Sequence, residues 1–585
     1  MPFEYYEQHR TTKLIGKFSY ITPKKSQIET ASGDIINVEQ NNRALDGDYV
    51  YYEIDDTEVG VKVVGIHKRA GLKYVGVLEL HGTKMLGMNS KGIPQYLMTP
   101  LSWRFPKFTA TLRRKHPHNL YVVVAFKEWL TTQSTPCGNI ELIIGPVNDS
   151  AAENLALLHK SHLYIKSHDK RAVNEMEIKK LPSNTLVDYD DVIVIDPEGA
   201  TDLDDGFSVD AEMGLIYVHI AEPNYYLKGG YNNEIMKRVT SIYGHNTYHM
   251  LPSIVASDFA SLNKDGPKAV MTVTFKIKND LGLEFQSVSR SYIKVSEQHT
   301  YETAQMIWDS KRPHPIRTAV ELVVSSMKGK CGAGEDADDN VDMHKIVEYL
   351  MINTNSAIGK YLFDNGLNFS RYCEFKPMKG AHGRNNPCLK YVKYRTSKAA
   401  EYTVDKHGHG GLNLEYYTHF TSPIRRWADM LAHEAVSMIM CNIRDMLPEF
   451  KVNMASAAGI INKYNRQVKM YYRDRDVLTF FRKLQLQSES KKNTAGYIVD
   501  FKEETRMIFV YFPDFDIEYR YPLYTDELSF LSSERIDDTI HITNKQTSCD
   551  WCVPMFEELE FNLTTLPSEI RLNKKIVMRI ADLNI

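Results

Sequence analysis

The stretch "IDPEGATDLDDGFSV", Ile195 to Val209, decides how the rest of the chain is read. It holds five acidic side chains, Asp196, Glu198, Asp202, Asp204 and Asp205. Its flanks, "DVIVIDP" before and "GFSVDAEMGLIYVHIAEP" after, have the apolar, β-branched character of buried strands. Carboxylates crowded between such strands repel one another and lose hydration. Divalent cations seated among them would offset both costs, because a bound ion inverts the local charge balance. Asp196, Asp202, Asp204 and Asp205 stand at relative offsets of zero, six, eight and nine, and hard oxygen ligands of this kind suit magnesium or manganese. An EF-hand loop needs acids at its first, third and fifth positions, glycine at the sixth and glutamate at the twelfth; "DLDDG" breaks that spacing. The bland alternative is a solvated acidic loop. The apolar strands on either side weigh against it, since a loop between buried strands is well placed for a site.

A second constellation lies at "YYTHFTSPIRRWADMLAHE", Tyr416 to Glu434. Ser422 followed by Pro423 predicts a helix start, a capping hydroxyl and then proline at the first helical position. Arg425 would then stand in the first turn, where unpaired N–H groups and the helix dipole favour an anion. Asp429 and His433 follow at steps of four and would share its face. An arginine fork there suits a phosphate; the alternative is an ordinary Arg425–Asp429 surface pair.

The 585 residues suffice for three or four domains with cores of their own. Apolar and charged fractions, 43% and 25%, are those of soluble globular proteins, which excludes wholesale disorder. No apolar run reaches the length of a membrane span, and "MPFEYYEQHRTTKL" lacks the pattern of a signal peptide. An intracellular, cytoplasmic location without membrane attachment is therefore expected. Of seven cysteines, only Cys549 and Cys552 in "SCDWC" have the spacing of half a zinc site, and no second pair lies close by, so ordinary thiols are the better reading. The formal net charge of −3 marks no nucleic-acid binder overall, but local stripes are what phosphate contacts need.

Short β-rich runs with Gly and Asn turns fill the first part, "LIGKFSYITP" to "VGVKVVGIHK" and then "KYVGVLELHG" to "NIELIIG", and predict two small barrels, residues 1–70 and 71–150. In the second, "SWRFPKFTATLRRKH" interleaves Trp103, Phe105 and Phe108 with Arg104, Lys107, Arg113, Arg114 and Lys115. Aromatic platforms among cations build single-strand binders; a solvated basic strand edge explains the stretch equally well. Residues 151–487 mix strands with long helices, predicted at 343–363, from Pro423 to about Leu447, and over "AGIINKYNRQVKMYYRDRDVLTFFRKLQLQ". "KGKCGAGEDADDNVD" (328–342) reads as an insertion tip, and a third small barrel is predicted over 488–585.

"IDPEGATDLDDGFSV" with "HGHGGLNLEYYTHFTSPIRRWADMLAH" resembles the two signature blocks of the RNase II/RNase R exoribonucleases, the RNB family. "VHIAEPNYYL", "RVTSIYGHNTYHMLP", "ASL" at 260–262 and "KIVEYLMINTN" follow in the family's order, so the resemblance covers about residues 185–487. It implies a multidomain α+β fold: a central RNB catalytic domain, a mixed sheet with long helices, between two N-terminal cold-shock-like OB barrels and one C-terminal OB-fold. It also implies hydrolysis of single-stranded RNA from the 3′ end to nucleoside 5′-monophosphates by two magnesium (or manganese) ions, in a chain expected to be monomeric. By position, Asp196, Asp202, Asp204 and Asp205 match the metal-binding aspartates, Asp204 with a catalytic part, and Arg425 matches the arginine on the scissile phosphate. Tyr243 matches the tyrosine stacked on the terminal base. Glu348 matches one of two adjacent glutamates on the terminal nucleotide, the second being Tyr349 here, and Asp474 stands where the family has a glutamate near the site. Gly206 and Glu222 replace an alanine and an aspartate.

Overall fold

The structure is a computed structural model. It describes residues 14–581 apart from 23–24, 56–59, 82–84, 90, 115, 176–177, 228–232, 279–281, 328–340, 375–398, 444, 446, 487–490 and 524–529. Lys115, Cys331, Cys388 and nearly all of the expected insertion tip lie outside the described residues. The described residues form two compact units, one from Met1–Leu163 and Lys469–Ile585, the other from Tyr164–Lys379 and Thr396–Val468.

In the first unit, alternating apolar residues close a barrel from β1 (Leu14–Thr22), β2 (Lys25–Thr30), β3 (Ile35–Gln40), β4 (Tyr49–Asp55) and β5 (Gly60–Lys68), in the order β1-β2-β3-β5-β4. Phe18, Ile28, Val50 and Val63 fill it with no exposed surface. Gly16 is required at the close crossing of β1 and β2, because a Cβ there would lie 2.2 Å from Ile28 Cγ2. β6 (Lys73–Leu78), β7 (Gly87–Met88), β8 (Pro94–Pro100), β9 (Phe108–Thr111), β10 (Leu120–Glu128) and β11 (Cys137–Pro146) repeat the arrangement, with β6 pairing both β10 and β8. This strand order, with one parallel pair in each barrel, is that of a Greek-key OB barrel. Of the three aromatics in the single-strand reading, only Trp103 stays half-buried with a cation over its ring, Arg104 at 5.1 Å. Phe108, the first residue of β9, is buried in the barrel core, and Phe105, in the bend before β9, is half-buried and packs edge-on against Tyr74 at 4.8 Å. Arg113 and Arg114 remain exposed.

The C-terminal sheet runs Ile517–Pro522, Met507–Phe512, Lys491–Lys502, Glu558–Thr565, Ile576–Ile580, with a three-stranded sheet inserted at Leu531–Pro554. Tyr519 Oη donates to Ile576 O at 3.2 Å and ties its two edge strands together. On the inserted sheet, Cys552 faces His541 across the ladder at 3.5 Å while Cys549 Sγ lies 3.9 Å from Thr547 O, so the two thiols have different neighbours.

In the second unit β12 (Tyr189–Asp196), β13 (Asp205–Asp210), β14 (Leu215–Ala221), β15 (Lys268–Ile277) and β16 (Leu283–Thr300) form the expected mixed sheet, and it closes into a barrel. Only β12 and β16 run parallel; the eighteen residues of β16 are long enough to pair with both β15 and β12. Helices Tyr301–Asp309, Pro315–Met327, Met343–Asp364 and Trp427–Met440 complete the unit. The helix Leu447–Leu486 carries forty residues and contributes to both units. No helix among the described residues is long and apolar enough to cross a membrane.

Candidate active site

The acidic stretch is the connection from β12 to β13, and its backbone is pinned from below. Ser261 Oγ donates to Thr201 O at 2.9 Å and accepts the Leu203 N–H at 3.1 Å, and Leu262 N–H donates to Leu203 O at 3.0 Å. The short "ASL" block thus holds the loop, a role its sequence does not announce. At Gly206, the start of β13, a Cβ would meet Ile193 O, Val192 Cγ1 and Val194 Cγ2, each at 3.0 Å, so the wall has closed around a residue without a side chain.

Asp204 is 3% exposed. Its Oδ1 accepts the Ile424 N–H at 2.8 Å and its Oδ2 accepts Arg425 Nε at 3.1 Å, joining the two signature blocks across 220 residues of chain. Burial pushes its carboxyl up to about 7, against the pull of Arg425 and the Ile424 N–H. Burial raises Asp196 to about 6; Arg425 opposes this and Asp202 adds to it. Asp205 is held well above the carboxylate range by burial and by the charges of Asp196 and Asp204. Asp202 accepts a short hydrogen bond from Tyr243 Oη. The structure therefore gathers all four aspartates, Arg425 and Tyr243 into one electrostatically linked group. Even so, no three described His, Cys, Asp or Glu side chains converge closely enough to hold an ion as they stand. Asp204 is turned to Arg425 and Asp202 to Tyr243. Asp196 Oδ2 is the exception, a buried oxygen without a partner.

The helix start expected at Pro423 is not there. Residues 423–425 form a turn, Arg426 is extended at φ −136° and ψ 123°, and the helix begins at Trp427. Tertiary pairing overrides the local cap: Thr240 bridges Arg426, and Trp427 N–H donates to Val239 O at 2.9 Å. Arg425 therefore shares no helical face with Asp429 and His433. Asp429, fully buried, accepts the Ser422 N–H at 2.8 Å and Arg426 Nη2 at 2.7 Å, which fixes the turn instead. His433 stacks on Phe420 at 3.9 Å.

Sequence reasoning missed Tyr301. It follows Thr300, the partner of Asp196 in the parallel ladder; burial first, then the charges of Asp205 and Asp196, raises its hydroxyl, and its ring stacks on His344 at 3.9 Å and 9°. The pairing of Asp196 with Thr300 that brings it in is long-range and leaves no mark in the sequence. Glu348 lies exposed on the helix Met343–Asp364, one turn beyond His344. Asp474 belongs to the first unit, where it receives Lys160 Nζ at 2.7 Å.

The RNB domain model matches residues 186–329 and 372–442, which contain both signature blocks. Over those residues the chain is similar to an RNB domain. It is 26% identical to Ribonuclease R of Chlamydia muridarum over 304 residues, 41% of this chain and 44% of that protein. The chain spans about half the length of the curated relatives it matches. The chain superposes on Mycoplasma genitalium RNase R in complex with ribose methylated single-stranded RNA with a TM-score of 0.77 at 16% identity, covering 97% of this chain and all of that one. It also superposes on yeast Ssd1, a pseudonuclease, with a TM-score of 0.61 at 15% identity, covering 91% and 81%. At these identities the superpositions establish the shared fold.

Proposed function

We propose that the protein is a hydrolytic exoribonuclease that shortens single-stranded RNA from its 3′ end and releases nucleoside 5′-monophosphates. The observation that carries the reading is the junction of Arg425 with Asp204 beside the bare buried oxygen of Asp196. The donor set fits a hard divalent cation, magnesium or manganese. Asp196, Asp202, Asp204 and Asp205 offer only oxygens, and the raised Asp196, Asp204 and Asp205 carboxyls are those an ion would bring back to the charged form. When bound, a pair of such ions supplies charge at the attacking water and the leaving oxygen of an in-line displacement.

The remaining work falls to the chain. Arg425 uses Nε on Asp204 and Nη2 on Ser422 Oγ while its side chain stays 45% exposed, so its guanidinium is oriented yet open to a phosphate. It adds positive charge where the pentavalent phosphate becomes more negative. Tyr243, anchored through its hydroxyl on Asp202, offers its ring to the terminal base. Glu348 reaches the terminal nucleotide from its exposed helix face, and a contact to the 2′-OH separates RNA from DNA. The barrels bind upstream phosphates through exposed cations such as Arg113 and Arg114.

The rival is an RNA-holding homologue without catalysis, as the likeness to a pseudonuclease suggests. Its mark would be erosion among the aspartates or at Arg425, and all five residues are present. The deciding assay uses 3′- and 5′-labelled single-stranded RNA, with magnesium and with excess chelator, resolved on a gel. A 5′ label in progressively shorter products, only with metal, is expected. RNA that is bound but intact with magnesium and with manganese refutes the reading.

A further inference from the structure

Val239 carries a backbone unsuited to its side chain. It is β-branched, 2% exposed, and lies at φ +61°, a region such residues almost never adopt. Strain of this kind persists only where the surrounding structure imposes it, and it concentrates at functional sites. What it achieves is visible in the next residues. The chain leaves the helix Asn233–Arg238, turns at Val239, and runs antiparallel to the Arg425 turn, with Thr240 bridging Arg426. Trp427 N–H donates to Val239 O at 2.9 Å, Ser241 N–H donates to Arg425 O at 2.9 Å, and Thr240 Oγ1 donates to that same carbonyl at 2.8 Å. Arg425 O thus holds two donors from residues 240 and 241, just ahead of Tyr243. From the other side Asp204 takes the Ile424 N–H and Arg425 Nε.

We propose that Thr240 is a positioning residue: its hydroxyl on the Arg425 carbonyl sets the spacing between the Tyr243 ring and the Arg425 guanidinium, and so where the scissile phosphate falls against the aspartates. The proposal rests on the reading of Tyr243 and Arg425 as contacts to the terminal nucleotide. Thr240 is only half-buried and its hydroxyl fills no core, so its removal leaves packing intact while Arg425 O keeps a single donor. Catalysis depends steeply on placement, and displacements near 1 Å cost about a hundredfold in rate; losing one of two donors shifts the turn by less.

The test compares the full chain with Thr240→Val, which keeps the shape, and Thr240→Ser, which keeps the hydroxyl. Dissociation constants for single-stranded RNA in chelator and single-turnover rates at saturating enzyme with magnesium are measured. Amide hydrogen exchange is followed at Ser241 and Trp427. Thr240→Val should slow the saturating rate about tenfold while affinity stays within about twofold, and Thr240→Ser should restore most of the rate. Both amides should exchange faster in Thr240→Val. Native-rate cleavage by Thr240→Val, no rescue by Thr240→Ser, or unaltered exchange overturns the proposal. A native chain that never cleaves RNA defeats the exoribonuclease reading instead, and the exchange experiment still decides whether Thr240 holds the Arg425 turn.

Discussion

Asp204 serves two partners, Arg425 and the Ile424 N–H, and its burial makes the charge they hold expensive. Asp204→Asn keeps the size and removes the charge. Turnover should fall by at least two orders of magnitude, while RNA affinity changes little because the strand is gripped elsewhere. Tyr243→Ala should show the opposite balance, a loss of roughly 1–3 kcal/mol in affinity with cleavage retained. Measuring affinity and single-turnover rate for both variants checks this; near-native cleavage by folded Asp204→Asn would reduce the acidic stretch to a structural loop. Asp429 makes a separate prediction. Asp429→Ala strands Arg426 beside an empty acceptor position and frees the Ser422 N–H. It should cost about 3 kcal/mol in stability, the low end for a broken buried pair, since Arg426 keeps 26% of its side chain exposed. Chemical denaturation reads it, and a loss below about 1 kcal/mol would show the pair to be surface-like.

At the scale of elements, the barrel of β12 to β16 carries its own titration signature. His219 is fully buried between Ser208 Oγ and Thr272 Oγ1, each at 2.9 Å, and burial lowers it to about 3. Unfolded, the same imidazole titrates near 6.5. Between those values the unfolded chain binds a proton the folded chain refuses, so stability falls with falling pH by up to about 1.4 kcal/mol per pH unit. His433, also about 3, and His168, about 4, act in the same direction. The raised Asp196 and Asp204 act in the opposite one, because the folded chain holds their protons up to about 6 and about 7. The informative quantity is therefore a difference: on going from pH 7 to about pH 5, His219→Gln should lose less of its thermal midpoint than the native chain. Parallel curves would show that His219 is not buried as neutral imidazole.

At the scale of the whole molecule, the proposed function assigns the exposed cations Arg113 and Arg114 to phosphates of the bound strand. Replacing both by alanine should lower the dependence of log K on log salt by about 1.4, roughly 0.7 per lost contact with a single strand, and leave the saturating rate alone. An unchanged slope would assign the barrel another task. Much of this molecule was legible beforehand. β-rich runs set off by Gly and Asn turns gave the strands of the two N-terminal barrels, helical spacing gave Met343–Asp364, and the offsets of the four aspartates marked the acidic site. These signals are local: residues two, four or nine apart share a face or a loop whatever the rest of the chain does. Tertiary structure alone decided what depends on distant pairing. It closed the central sheet through β12 and β16, turned Phe105 and Phe108 into a core, and gave Asp474 to Lys160. It also unwound the helix start expected at Pro423, because hydrogen bonds from residues 239–241 to residues 425–427 outcompete a local cap and bring Arg425 to Asp204, 221 residues away.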